Sequence, residues 1–257
     1  MLRLINSGCN GHMGQVVTAI CDADANVGIV AGVDINTRQM SDFPVYEKPS
    51  DIPAAIVGGE QKSVALVDFS SPAALKGLLE YGIFSNIPLV LCATGYNAEQ
   101  QDAIEMASKK IAVFRSGNMS IGINLVVDLI KRAAAVLGED FDVEIIERHH
   151  RRKVDAPSGT ALMLANAAAS SLPYDAKLVY ERERVRKPRD SHEIGISAVR
   201  GGTIVGEHEV IFAGQNEIIE LRHSAQSRDI FAAGAIKAAK YIVNQPPGLY
   251  SMEDVLR

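Results

Sequence analysis

The sequence predicts an α/β protein in two parts. Over residues 1 to about 120, short apolar runs alternate with helical stretches, the pattern of a parallel sheet with crossover helices. A glycine-rich turn follows the first of these runs. Beyond residue 190, apolar runs follow one another with no helix between them, which predicts an α+β part with a mixed open sheet.

Residues 2–7 read as a short strand, 8–14 as a glycine turn, and 15–23 have helical spacing. V-G-I-V-A-G-V-D at 27–34 is a second, buried strand that ends in an acid. Strand-like runs recur at 64–69, 88–92 and 111–114, with helices over 72–81 and 97–109. A long apolar helix covers 121–137, a strand 142–149 and a helix 158–171. Three strands follow, within 192–200, 203–212 and 217–223. His208, Val210 and Phe212 alternate with Glu207, Glu209 and Ile211, the period of two that gives a strand two faces. A last helix over 229–243 returns to the first part, so one domain comprises 1–120 and 230–257, the other 121–229.

Hydrophobic residues are 47% and charged residues 22% of the chain, enough for a sizeable core. The net charge of -5 argues against a nucleic-acid partner. No apolar run reaches the roughly 18 residues of a membrane span. The chain enters a strand and turn at once, so no signal peptide is expected and the cytoplasm is the expected location. Cys9, Cys21 and Cys92 are odd in number and lack C-x-x-C spacing, so neither a disulfide framework nor a zinc cluster is expected.

Gly8, Gly11 and Gly14 stand as G-x-x-G-x-x-G between strand and helix. The first permits a tight turn, the second a close approach of backbone to a pyrophosphate, and the third the packing of helix on strand. Asp34 lies 20 residues after Gly14, where an acid accepts ribose hydroxyls. The first part therefore reads as a Rossmann-type dinucleotide-binding domain. A carboxylate at 34 repels a 2′-phosphate and favours NADH, while His12 and Arg38 offset that repulsion and leave NADPH open. Loops 92–95 and 116–119, after later strands, suit the nicotinamide end; each is otherwise an ordinary turn.

Glu144 to Ala161 reads E-I-I-E-R-H-H-R-R-K-V-D-A-P-S-G-T-A. Imidazoles move protons near neutral pH, Lys153 offers a compact cation, and P-S-G-T opens a helix whose first N–H groups favour an anion. Together they suit a site that holds an acidic small molecule and protonates it. Adjacent strand residues face opposite ways, so His149 and His150 share a cleft only if the strand ends or bends there. No third ligand at metal-site spacing is nearby, so no metal is expected. The run 181–193 is dense in both charges and reads as a solvated loop, or as a substrate or partner contact.

With these residues the chain resembles the 4-hydroxy-tetrahydrodipicolinate reductase (dihydrodipicolinate reductase) family. The signature E-[I/V]-x-E-x-H-x-x-x-K-x-D-x-P-S-G-T-A is matched without a break. D-F-S at 68–70, S-x-G-I-N at 120–124 and V-R-G-G-x-I-V-G-E-H at 199–208 support it. The resemblance implies reduction of a cyclic imine dicarboxylate by NADH or NADPH in lysine and diaminopimelate biosynthesis. It implies His149 and Lys153 as proton donors, and His150, Gly159 and Thr160 as substrate contacts. It implies cofactor contacts at Gly8, Cys9, Asn10, Gly11, His12, Met13, Asp34, Cys92, Ala93, Thr94, Ser116, Gly117, Asn118 and Met119. It further implies a cytoplasmic homotetramer formed through the second domain's sheet; closure of the domains is expected because the signature and the glycine turn lie in different domains and the chemistry needs them together. The chain departs from the family pattern at His12, where arginine is usual, and in C-A-T-G at 92–95, where G-T-T-G is usual. An amino-acid dehydrogenase of similar build would share the first domain but lack the signature, and a degenerate nucleotide binder would keep the turn without turnover.

Overall fold

The computed structural model describes residues 1–58, 63–183 and 186–256. In chain order the elements are β1 (Leu2–Ser7), α1 (His12–Asp22), β2 (Val27–Val33), β3 (Val45–Tyr46), α2 (Ala54–Val57), β4 (Val64–Asp68), α3 (Leu75–Ser85), β5 (Leu89–Leu91), α4 (Ala98–Ser108), β6 (Ala112–Arg115), α5 (Ile121–Leu137), β7 (Asp142–His149), α6 (Gly159–Ala169), β8 (Lys177–Val179), β9 (Glu193–Arg200), β10 (Gly206–Ala213), β11 (Ile218–Ala225), α7 (Asp229–Ile242), β12 (Gly248–Tyr250) and α8 (Met252–Leu256). They fall into two compact units, Met1–Ser120 with Asp229–Arg257, and Ile121–Arg228.

The first unit's sheet runs β12-β6-β5-β4-β1-β2-β3 among the described residues, every neighbour parallel. Strands covered on both faces read as unbroken apolar runs, and all of Val64–Asp68 is buried. Leu66, Leu89 and Val113 pack with Leu75 and Leu78 of α3 and Ile104 of α4. The alanine-rich α7 packs on α1 and on β4, β5 and β6. The order reverses between β1 and β4, and in such sheets ligands bind outside the carboxyl ends of the strands at that point. The helix expected from residue 15 already begins at His12, so Met13 and Gly14 of the turn belong to its first turn.

The second unit's sheet is mixed, in the order β11-β10-β7-β9-β8 among the described residues. β7 and β9 are parallel, whereas β10 is antiparallel to both β7 and β11. Val143, Ile145, Ile194, Ile196, Val210 and Phe212 form a core with Val127 and Ile130 of α5 and Leu164 and Ala165 of α6. The alternation along 207–212 therefore places His208, Val210 and Phe212 inward. On the other face Arg148 pairs with Glu209 at 3.1 Å, and Arg222 with Glu207 at 3.0 Å.

The charged run is bound to its own sheet rather than wholly solvated. Arg182 reaches Glu193 at 2.8 Å and Glu144 at 2.9 Å. Arg189, with a side chain only 16% exposed, reaches Glu144 and Asp142 and donates to the Val143 and Glu193 carbonyls. Carboxylates on β7 and β9 thus recruit both guanidinium groups. Arg184 and Val185 of that run lie outside the described residues.

Candidate functional site

The first unit's candidate residues all follow the carboxyl ends of parallel strands: 8–14 after β1, Asp34 after β2, 92–94 after β5 and 116–119 after β6. Gly8 takes φ +78°, open to glycine at little cost. A Cβ on Gly14 would stand 2.0 Å from the Gly8 carbonyl oxygen, so α1 starts hard against the turn. No side chain caps the first N–H groups of α1 at Gly11, and its first turn holds no acid. This uncapped positive helix end, reached through glycine, fits the phosphates of a dinucleotide.

Asp34 is fixed rather than free. Its Oδ2 accepts from the Asn10 amide at 3.0 Å, and its Oδ1 from the Asn36 amide at 3.0 Å. Asn10 also donates from Nδ2 to the carbonyls of Asn36 and Arg38, so the turn and the loop after β2 are one braced structure. Cys9 is buried, its sulfur lying against Gly32, and burial, then Asp34, pushes its thiol up to about 11. It can offer a ligand its backbone alone. His12 and Thr94 are exposed, Ala93 packs on the core, and Met119 is buried. Ser116 Oγ donates to the Asn118 carbonyl, and Asn118 Oδ1 accepts from the Ser120 amide, closing the 116–119 turn.

Sequence reasoning gave Asp68 no role. It is fully buried at the end of β4, beside Ser7 of β1, at the reversal of strand order. Its Oδ1 accepts from Ser7 Oγ at 2.8 Å, Ser70 N at 3.1 Å and Ser70 Oγ at 2.5 Å, while Oδ2 has no partner among the described residues. Burial raises its pKa, against those hydrogen bonds. An acid with a raised folded pKa holds its proton after the unfolded chain has lost its own, so its contribution to stability falls as pH rises above the ordinary carboxylate value of about 3.9. Asp68→Asn is therefore expected to gain stability relative to wild type as pH rises from 4 to 8. Urea midpoints measured across that range check this; a constant or shrinking difference would show that Asp68 is carried as an anion.

In the second unit β7 ends at His149, and His150 lies just beyond, so the two histidines are not consecutive residues of one strand. Glu147, two residues earlier on the same face, is wholly buried. Its Oε2 lies 2.6 Å from His149 Nδ1 and 2.8 Å from Arg200 Nη1. Its Oε1 accepts from Arg200 Nη2 at 2.7 Å and from the Ser158 amide at 3.1 Å. Burial alone would raise this carboxyl, but the hydrogen bonds from Arg200 and His149 outweigh it and hold Glu147 below its ordinary value. The His208 ring meets His149 edge-on, with centroids 5.1 Å apart. Burial, then His149, holds His208 down to about 4, so it is neutral at pH 7. His208 Nε2 lies 3.2 Å from Ser158 Oγ, which caps α6 by accepting from the Ala161 amide at 3.1 Å.

Lys153 Nζ pairs with Asp155 at 2.9 Å, so the chain already supplies this cation with a counter-charge that an acidic ligand would have to share. His150 Nε2 is 3.4 Å from Arg228 Nη2. Burial, then Arg228 and Arg152, lowers the His150 pKa and makes it a neutral hydrogen-bonding group. Gly159 is exposed at the first position of α6, with Thr160 next to it. The structure thus brings His149, His150, Lys153 and the start of α6 onto the end of β7 and the segment that follows. It adds Glu147, Arg200 and His208, to which sequence reasoning gave no role, and the side chain of Ser158, which it read only as part of the helix start. The E-x-H spacing was the available signal for Glu147, because residues two apart share a strand face.

A parallel sheet in this order, a glycine turn feeding an uncapped helix and a separate unit with a carboxylate-held histidine fit a dinucleotide-dependent oxidoreductase. The family model for the dihydrodipicolinate reductase N-terminus matches residues 2–119, and that for its C-terminus matches 122–256. The 4-hydroxy-tetrahydrodipicolinate reductase of Clostridium perfringens is 49% identical, over 100% of this chain and 99% of its own. That of Caldanaerobacter subterraneus is also 49% identical, with the same coverage. The dipicolinate-bound dihydrodipicolinate reductase of Paenisporosarcina sp. TG-14 superposes with a TM-score of 0.81 at 25% identity, over 98% of this chain and 97% of that one. The chain belongs to the dihydrodipicolinate reductase family, and it is an NAD(P)H-dependent reductase.

Proposed function

We propose that this protein reduces 4-hydroxy-tetrahydrodipicolinate to tetrahydrodipicolinate with NADH or NADPH, in lysine and diaminopimelate biosynthesis, and that His149 is its proton donor. The observation that carries the reading is the setting of His149. One ring nitrogen is held by a buried carboxylate, and the other has no partner among the described residues. A bound dinucleotide supplies the hydride. Gly8, Cys9, Asn10, Gly11, His12 and Met13 hold its pyrophosphate by backbone and helix dipole, and Asp34 takes a ribose. Cys92, Ala93 and Thr94, with Ser116, Gly117, Asn118 and Met119, line its nicotinamide end. Lys153, His150, Gly159 and Thr160 bind the substrate carboxylates through charge-assisted and backbone hydrogen bonds. The 4-hydroxyl leaves as water to give the conjugated imine; hydride then adds to that ring, electrons move toward its nitrogen, and the enamine-like species takes a proton from His149, with Lys153 as the second donor.

The protein works as a cytoplasmic homotetramer built on the second unit's sheet, in this reading without nucleic-acid or membrane partners. In support, the sheet face opposite α5 and α6 carries half-buried Ile146 and Ile211 among its ion pairs, and Ile218 on β11 is exposed. No described helix is long and apolar enough to cross a membrane. The test is oxidation of NADH and NADPH followed by absorbance, with substrate generated in place from pyruvate and aspartate semialdehyde by the preceding synthase. Turnover with both is expected, with the higher kcat/KM for NADH because Asp34 repels a 2′-phosphate. Folded protein that binds NADH and turns over neither would overturn the assignment.

A further inference from the structure

Glu147 is a fully buried carboxylate with four donors on its two oxygens. Three elements meet on it. His149 lies on its own strand, and Arg200 of β9 stands opposite His149 in the sheet register. The Ser158 amide belongs to the cap of α6. Arg200 adds a further bond to the Asp155 carbonyl, at 2.6 Å, which ties the segment holding Lys153 to the same node.

From this geometry we infer that Glu147, clamped by Arg200, is a positioning residue that fixes the His149 proton on Nδ1, leaves Nε2 as the atom that delivers the proton, and sets His149 relative to the start of α6. The inference rests on the functional reading above for what receives the proton, but the tautomer it specifies does not depend on it. A carboxylate can only accept, so the nitrogen 2.6 Å from it must donate. In the acid form both ring nitrogens carry protons, and Nε2–H passes its proton to substrate carbon while Nδ1–H stays on Glu147. The resulting neutral ring is reprotonated at Nε2 from solvent. Glu147 takes no proton at any step, because Arg200 keeps it ionised. His208, neutral and edge-on to His149, adds no competing charge.

Glu147→Gln separates positioning from mere packing. The amide that replaces the carboxylate keeps an oxygen for Arg200 Nη2 and the Ser158 amide, but it puts an NH₂ where Oε2 stood, facing His149 Nδ1 and Arg200 Nη1. That nitrogen must then accept, which disfavours the doubly protonated acid form. The expected result is a loss of kcat of about 10²- to 10⁴-fold, the scale of general-acid catalysis and of a wrong histidine tautomer. KM and the Kd for pyridine-2,6-dicarboxylate should stay within about threefold, a tolerance well under the tenfold that marks 1.4 kcal/mol. A packing role would instead raise Kd and lower Tm together. The paired Glu147→Gln/Arg200→Gln variant removes the orphaned guanidinium should the single variant fail to fold. No variant of Glu147 is needed for the direct reading: ¹⁵N-histidine NMR of the wild type, with the His149 signals assigned by their loss in His149→Gln. A downfield Nδ1–H is expected. An Nε2–H tautomer with bare Nδ1, or a folded Glu147→Gln enzyme that keeps a third or more of wild-type kcat, would overturn the inference. A wild type that shows the Nδ1–H but does not reduce the substrate would overturn the functional reading alone.

Discussion

His149→Gln is expected to lower kcat by about 10²- to 10⁴-fold, the usual contribution of a positioned acid, and to leave the fold and NADH affinity unchanged. Gln can still donate an amide N–H toward Glu147 Oε2, so the buried carboxylate keeps a partner where His149 Nδ1 stood. The substitution lies at the end of β7, in the unit that does not contain the glycine turn, Asp34 or the 92–94 and 116–119 loops. Nothing that fits the cofactor is touched, so NADH fluorescence titration should give a wild-type Kd. Lys153→Ala should show a different balance. It removes a cation already shared with Asp155, so the larger part of its effect should fall on KM. Steady-state kinetics with Tm measured alongside check both variants. Near wild-type turnover in a folded His149→Gln enzyme would move the proton-donor role to Lys153 or to water.

What could be read in the sequence, and what could not, follows from the range of the interactions. β2 and β4 were legible because strands covered on both faces are nearly continuous apolar runs, and β10 because a strand covered on one face must alternate. The short strands Val45–Tyr46, Lys177–Val179 and Gly248–Tyr250 escaped, since segments of two or three residues have no period and exist only by pairing with β2, β9 and β6. The candidate site divides in the same way. His149, Lys153 and the α6 start lie within a dozen residues and could be read as one chemical group. The partner that holds Glu147 could not. Arg200 reaches it only because β7 and β9 pair in parallel with His149 opposite Arg200, a register that local sequence does not encode. Asp68 was missed for a similar reason: its burial comes from the strand order that sets β4 beside β1. The ion pairs of Arg182 and Arg189 likewise need carboxylates about forty residues away, at 142 and 144, and a count of charges along the run reads as solvation or as a substrate or partner contact.

Gly14→Ala should be the most damaging single methyl group that can be added to the first unit's turn. The new Cβ would fall 2.0 Å from the Gly8 oxygen, 2.6 Å from Cys9 Cα and 2.7 Å from the Gly8 carbonyl carbon. All three are backbone atoms, so no side chain can swing aside to relieve the clash. Either α1 lifts from β1 or the turn unwinds. If α1 lifts, the Gly14 carbonyl and Thr18 Oγ1 leave the bonds they accept from Asn6 Nδ2 of β1, at 2.9 and 3.3 Å, both buried. If the turn unwinds, the Asn10 amide leaves Asp34 and the brace to the loop after β2 opens. Overpacking of this kind costs about 1–3 kcal/mol, and the helix end that faces the phosphates moves with it. We therefore expect a lower Tm together with NADH binding weakened by at least tenfold, a loss of about 1.4 kcal/mol. Gly77→Ala in α3, whose Cβ would meet nothing within 4 Å, is the control. It should hold or raise stability by about 0.5–1 kcal/mol through the entropy of the unfolded chain. Thermal unfolding and NADH fluorescence titration of the two variants decide the matter. Wild-type Tm and affinity in Gly14→Ala would mean that the close contact of α1 with the turn is not what holds the dinucleotide.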